Sequence, residues 1–180
     1  METMTLKAIT YKTIVVHTIT YFLVGISAFF VADYSALFRE PIMREFMRPN
    51  NHPMVTAGVL FQPIRGLLFG FVFYGLRNVF FTQKTSWQVI WFCLVVMGII
   101  STFGPTPGSI EGLVYTQLPL WIQLKGLPEI LIQSFLLAYV THYWVRNPNK
   151  KYLNRSLLVL FCLILLVATA GVITQINTKL

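Results

Sequence analysis

The sequence is poor in charged residues, and in acidic residues above all. Only 11% of its 180 residues are Asp, Glu, Lys or Arg, whereas a soluble globular domain has about 25%. Six of them are acidic and 14 are basic, which leaves a formal net charge of +8, while 56% of the chain is hydrophobic. With a mean hydropathy of +0.66, this balance excludes an ordinary soluble domain and predicts an integral membrane protein.

The patterns that mark catalytic or metal centres are also missing. The two cysteines, Cys93 and Cys162, lie in apolar runs without a CxxC or metal-ligand spacing, so we interpret them as small apolar side chains. No serine-nucleophile, zinc-protease or di-acid protease pattern is present, and the prolines between Gly104 and Gly108 remove backbone donors that a phosphate-binding loop needs. We therefore expect no catalytic residue and no metal site.

Apolar runs divide the chain into a bundle of predicted membrane helices. A membrane helix needs about 20 predominantly apolar residues, and five stretches approach that length. The fold class predicted from them is an all-α polytopic membrane protein with a single domain. The five spans are placed at about 13–32, 56–80, 87–103, 128–145 and 156–174.

Two connecting segments are unusual for loops. Residues 33–53 interleave apolar and charged side chains, which is typical of a short amphipathic helix at the membrane interface. Gly104-Pro-Thr-Pro-Gly108 stops any helix, and residues 119–126 are too short for a span and too apolar for a polar loop. We expect residues 104–126 to form a broken or re-entrant segment before the fourth span.

The basic residues predict the orientation of the helices. They are scattered between apolar spans and form no basic stripe with interleaved aromatic residues, so we expect no nucleic-acid partner. Basic residues accumulate in cytoplasmic loops, and a cytoplasmic N-terminus puts eight of them inside and four outside. The eight are Lys7, Lys12, Arg77, Lys84, Arg146, Lys150, Lys151 and Arg155; the four are Arg39, Arg44, Arg48 and Lys179.

The second span contains an arginine within its apolar sequence. Arg65 would cost roughly 2.5–3.5 kcal/mol at the centre of a membrane helix unless it faces protein, water or a counter-ion. Gly66 and Gly70 follow it at the small-xxx-small spacing that lets another helix approach closely. The span therefore predicts both a helix-packing face and a polar site.

The outer half of the predicted bundle collects the remaining polar residues of interest. An ion pair of Arg65 with Glu111 or Glu129 would compensate both charges and lock two helices together. Alternatively, Arg65 belongs to an outward-facing pocket that binds an anionic head group, or extends outward to lipid phosphate. The predicted substrate-binding set is Arg65, Gln62, Glu111, Lys125, Glu129 and Gln133.

Two histidines on different spans form a second candidate site. In the predicted topology His17 and His142 lie at similar depth, which is compatible with axial ligation of a haem. We expect no cofactor, because no second pair of ligands accompanies them, and keep the haem as an alternative to two hydrogen-bonded histidines.

The sequence predicts a small multi-pass membrane protein that binds or moves an anionic or amphiphilic small molecule or lipid. Its expected partners are the lipid bilayer, such a ligand, and a second copy or another membrane protein. One alternative is a non-catalytic subunit of a larger membrane complex. The other is a membrane-embedded enzyme acting on a lipid head group, with Glu111 or Glu129 as general base. The sequence resembles no characterised family whose activity could be assigned to it.

Overall fold

A computed structural model describes residues 4–177, and these residues form helices joined by turns, with no strand among them. The first helix, α1, covers Leu6–Val31 and begins at Thr5, whose side chain accepts a hydrogen bond from the Ala8 amide. It lies at the centre of the bundle, since the helices Gln62–Gly75, Leu127–Arg146 and Lys151–Asn177 all pack against it.

The loop after α1 contains two short helices. Asp33 has a left-handed backbone (φ 45°), and its side chain caps α2, Tyr34–Leu37. Helix α3 follows at Pro41–Phe46 and buries Met43. Leu37 and Met43 share a small apolar cluster with Ile122, so this loop packs on the segment that precedes the fourth predicted span.

The second predicted span is a composite helix in the structure. It combines α4 (Pro53–Ala57), a 3-10 turn (Gly58–Phe61) and α5 (Gln62–Gly75). A separate short helix, α6, covers Arg77–Phe80. The continuous helix thus begins three residues earlier and ends five residues earlier than the predicted 56–80.

The second half of the chain alternates long and short helices. Helix α7 covers Trp87–Val95 and continues as a π-helical turn, Val96–Ile100. Between this turn and the next long helix lie α8 (Ile110–Tyr115) and α9 (Leu120–Lys125), and the two long helices that follow are α10 (Leu127–Arg146) and α11 (Lys151–Asn177).

Three helices in the described part of the chain are long and apolar enough to cross a membrane: Leu6–Val31, Pro53–Gly75 and Lys151–Asn177. The prediction of five spans is therefore not confirmed by length and composition. Trp87–Ile100 is apolar but has 14 residues. Helix α10 has 20 residues, but Glu129, Gln133 and His142 lower its hydropathy.

Successive long helices run in opposite directions. The two ends of the bundle differ in the polar contacts that they contain. At one end Lys12 Nζ donates to the Trp144 carbonyl (2.9 Å), and Arg146 Nη1 donates to the Thr82 carbonyl (2.7 Å). We name this the basic end. At the opposite end Tyr34 donates to Glu129, and Thr56 lies 3.0 Å from Gln175 Oε1.

The closest contact between helices joins α1 to α5 through two glycines. A Cβ atom added to Gly66 would lie 2.6 Å from Ile14 Cα, and one added to Gly70 would lie 2.7 Å from Thr10 Cα. Both neighbours are backbone atoms, which cannot rotate away. The two glycines therefore set the distance between these helices.

Substituting Gly66 by alanine tests this contact. The added methyl group must push α5 away from the backbone of α1, and we expect a loss of about 1–3 kcal/mol of stability. Gly75→Ala is the matched control, since a Cβ there meets nothing within 4 Å. Thermal unfolding in detergent would measure both variants; equal stability of the two would contradict the proposed close contact.

Candidate functional site

Arg65 lies at the middle of the composite helix Pro53–Gly75, which has 23 residues. The predicted span began at residue 56, which put Arg65 nearer the outer end of that span. The earlier start of the helix moves it to the depth where a charge is most costly in a bilayer. Its side chain is exposed rather than enclosed by the bundle.

The Arg65 side chain lines a small cleft between α1, α5, α10 and the π-helical turn, which we name the Arg65 cleft. Its volume is about 150 Å³. The polar residues that line it with Arg65 are His17, Gln133 and Ser134, and the apolar ones are Phe69, Leu94, Gly98, Ile99, Ile130 and Leu137.

The π-helical turn shapes one wall of the Arg65 cleft. Such turns are rare in helices and are often found at functional sites. Gly98 and Ile99 belong to this turn, and a Cβ atom on Gly98 would meet nothing within 4 Å. The wall beside Arg65 is therefore made partly of open backbone, which leaves space for a ligand.

Arg65 has no carboxylate partner within residues 4–177, so the ion pair considered above is not formed there. Glu129 instead accepts a hydrogen bond from the Tyr34 hydroxyl. Burial and this hydrogen bond raise the pKa of Tyr34 above its ordinary value. Glu111 lies on α8, in the first turn after the Ser109 cap.

Gln62 serves the interface between α1 and α5. It is 4% exposed. Its Oε1 lies 3.2 Å from His17 Nε2, and its Nε2 donates to the Gly58 carbonyl (2.8 Å). With both ends of its amide occupied by protein, Gln62 positions His17. Its burial in the helix interface keeps it out of the Arg65 cleft, whose lining residues do not include it.

His17 connects this interface to the Arg65 cleft. It is 1% exposed, and its Nδ1 atom is buried without a partner in the part of the chain that the structure describes. A buried polar atom left unpaired costs about 1–3 kcal/mol. His17 also lines the cleft. Because its Nε2 faces the Gln62 oxygen and donates, Nδ1 is an acceptor that only a hydrogen-bond donor would satisfy.

Lys125 and Glu129 line a different site, a wider groove between α1 and α10 that we name the Lys125 groove. Its volume is about 590 Å³, and Tyr34 lies at its polar end. The other lining residues are predominantly apolar and include Leu23, Val31 and Leu136.

Of the six predicted binding residues, Arg65 and Gln133 therefore share one cleft, while Lys125 and Glu129 share another. Gln62 lies in a helix interface, and Glu111 lies outside both clefts. Sequence reasoning missed Ser134 and Tyr34 as site residues. Ser134 Oγ accepts from Trp91 Nε1 (3.2 Å) and ties α7 to α10.

The two histidines lie on α1 and α10, which pack against each other. His17 is near the middle of α1, and His142 is four residues from the last residue of α10. His142 Nε2 lies 2.9 Å from the Gln83 carbonyl. Both Nε2 atoms thus have protein partners that a haem iron would have to displace.

Comparison of the chain with family models, with curated proteins and with solved structures finds no match. The function is therefore inferred from the geometry of the clefts.

The role assigned to Gln62 can be tested by Gln62→Leu. The variant leaves His17 Nε2 unpaired in the interface, and we expect a loss of about 1–3 kcal/mol of stability. Gln88→Leu changes an exposed glutamine and serves as the control. Thermal unfolding in detergent would measure both. A Gln62→Leu protein as stable as the control would show that the pair contributes nothing.

Proposed function

We propose that this chain is an integral membrane protein with five crossings, formed by α1, the helix Pro53–Gly75, α7 with its π-helical turn, α10 and α11. Three of these helices have the required length and hydropathy. Helix α10 packs between α1 and α7, and this packing would shield its polar side chains from lipid. The 14-residue helix Trp87–Ile100 is shorter than the required length of about 20 residues, so its crossing would require a locally thinner bilayer.

The proposed orientation puts the basic end in the cytoplasm. Basic residues near the ends of spans are retained on that side of the membrane, and the eight listed above all lie at the basic end. The N-terminus would then be cytoplasmic and the C-terminus would lie on the opposite side. Arg65 would lie near mid-depth, and the Lys125 groove would face the outer half of the bilayer.

Single cysteines can test this orientation. In a Cys93→Ser, Cys162→Ser background, Asn149→Cys reports the loop between α10 and α11, and Asn51→Cys reports the loop before α4; both positions are exposed. A membrane-impermeant maleimide should label only Asn51→Cys in intact cells and both after lysis. Labelling of Asn149→Cys alone, or of both in intact cells, would contradict the proposal.

We propose that the protein binds an anionic amphiphile, with its charged group at Arg65 and its apolar part against neighbouring helices. The observation that carries this proposal is that Arg65 lines a cleft at the middle of an apolar helix with no carboxylate partner in the described chain. An anion would supply the missing charge. The Gln133 side-chain amide, which also lines this cleft, supplies hydrogen-bond donors for the same anion.

The size of the Arg65 cleft defines how such a ligand would be bound. Pockets that enclose a small molecule usually have volumes of about 300–1,000 Å³, whereas this cleft has about 150 Å³. It has room for a head group such as a carboxylate or phosphate and none for an aliphatic tail. The tail would lie along Leu94, Ile99 and Ile130 and continue into lipid, which selects an amphiphile over a water-soluble anion.

Arg65→Gln tests the proposal. It removes the charge but keeps a polar side chain, and we expect the amount of co-purified anionic amphiphile to fall about tenfold or more, since hydrogen bonds to charged groups contribute roughly 1.5–3 kcal/mol. Native mass spectrometry of protein purified gently from its membrane would measure this. Circular dichroism would verify that the variant is folded.

Lys125→Gln is the matched control, because it removes a cation that lines the other groove. Retention of the ligand by Arg65→Gln and its loss from Lys125→Gln would move the binding site to the Lys125 groove. A stable heteromer without any small ligand would favour the alternative of a complex subunit.

A further inference from the structure

In the described part of the chain, the basic end of the bundle carries cations and no carboxylate side chain. Within residues 4–177 every carboxylate side chain lies at the opposite end, namely Asp33, Glu40, Glu45, Glu111 and Glu129. The cations of the basic end contact neutral groups instead: Lys12 meets a carbonyl and the Trp144 ring, and Lys150 meets the Tyr143 ring. Their charge must be balanced from outside the described chain.

One cleft at this end combines two of those cations with aromatic rings. We name it the Lys84 cleft; it lies between the start of α7 and the last turns of α10 and has a volume of about 440 Å³. Its cations are Lys84 and Arg146, and its other lining residues are Trp87, Tyr139, His142, Tyr143 and Asn147.

Arg146 is held in place before any ligand arrives. Its Nη1 donates to the carbonyls of Thr82 (2.7 Å) and Phe81 (3.4 Å). An arginine has five N–H donors, so further donors remain for an anion. Lys84 is exposed and makes no side-chain hydrogen bond within residues 4–177, which leaves its ammonium group available.

The aromatic residues of the cleft give it an interfacial character. Tyr139 stacks on Phe135 and on Tyr143, and Trp87 meets Tyr139 edge to face at 5.6 Å. Tyrosine and tryptophan concentrate at the level of lipid head groups. A cleft of this composition is typical of the level at which lipid phosphate groups lie.

We propose that the Lys84 cleft binds the phosphoryl head group of an anionic phospholipid, with Lys84 and Arg146 contacting the phosphate and Trp87 and Tyr139 contacting the glycerol and upper acyl region. Basic pockets between membrane helices on the cytoplasmic side bind such head groups. The occupant is lipid rather than free phosphate because three of the seven lining residues, Trp87, Tyr139 and Tyr143, are aromatic. This site lies at the basic end, whereas Arg65 lies at mid-depth and lines a different cleft, so it does not depend on the ligand proposed there.

A lipid competition measures this site directly. The full-length protein in detergent is mixed with equimolar phosphatidylglycerol and phosphatidylcholine, and native mass spectrometry counts the bound lipids. We expect Lys84→Glu to lower the preference for phosphatidylglycerol by about fivefold or more, since a basic residue near anionic lipid contributes on the order of 1 kcal/mol. Arg146→Lys, which keeps the charge, should retain most of the preference.

Lys151→Glu is the matched control, because Lys151 is exposed at the same end but does not line the cleft. Equal losses for Lys84→Glu and Lys151→Glu would show a diffuse surface effect and overturn the proposed site. Displacement of the lipid by millimolar inorganic phosphate would also overturn it. Repeating the measurement in the Arg65→Gln background separates the two sites, since the Lys84 preference should persist there.

Discussion

The structure depends first on the close approach of α1 and α5 at Gly66 and Gly70. With no side chains at these positions, the backbone of α5 lies directly against Ile14 and Thr10. The same contact brings Gln62 to His17. Arg65 directly precedes Gly66 and lies on the helix surface next to the packing face. The contact between α1 and α5 therefore fixes the position of the Arg65 side chain. The cleft is thus a consequence of the helix interface.

The second constraint is the shortage of carboxylates. Five described acidic residues lie at one end of the bundle, and the best placed of them, Glu129, is engaged by Tyr34. Arg65 at mid-depth and Lys84 with Arg146 at the basic end are left with neutral neighbours. Both proposals follow from this one imbalance, because a charge without an internal partner must find an external one.

The sequence predicted the helical class well, because apolar runs and their breaks report directly on local structure. The bounds of Pro53–Gly75 were missed, since the helix begins at Pro53 and Leu76 separates its last residue from α6. The site was predicted less well. Gln62 and Gln133 are both single amides in apolar helices, and only three-dimensional packing assigns one to His17 and the other to the cleft. The π-helical turn at Val96–Ile100 has no recognisable sequence signal.

The central claim is that Arg65 is compensated by a bound anion and not by the protein. An experimental structure of the full chain, purified with its own lipids and reconstituted in a lipid nanodisc, tests it most directly. We predict an anionic group within hydrogen-bonding distance of the Arg65 guanidinium, in contact with the side chain of Gln133. A carboxylate of Glu129 or Glu111 paired with Arg65 in an otherwise closed cleft would contradict the account.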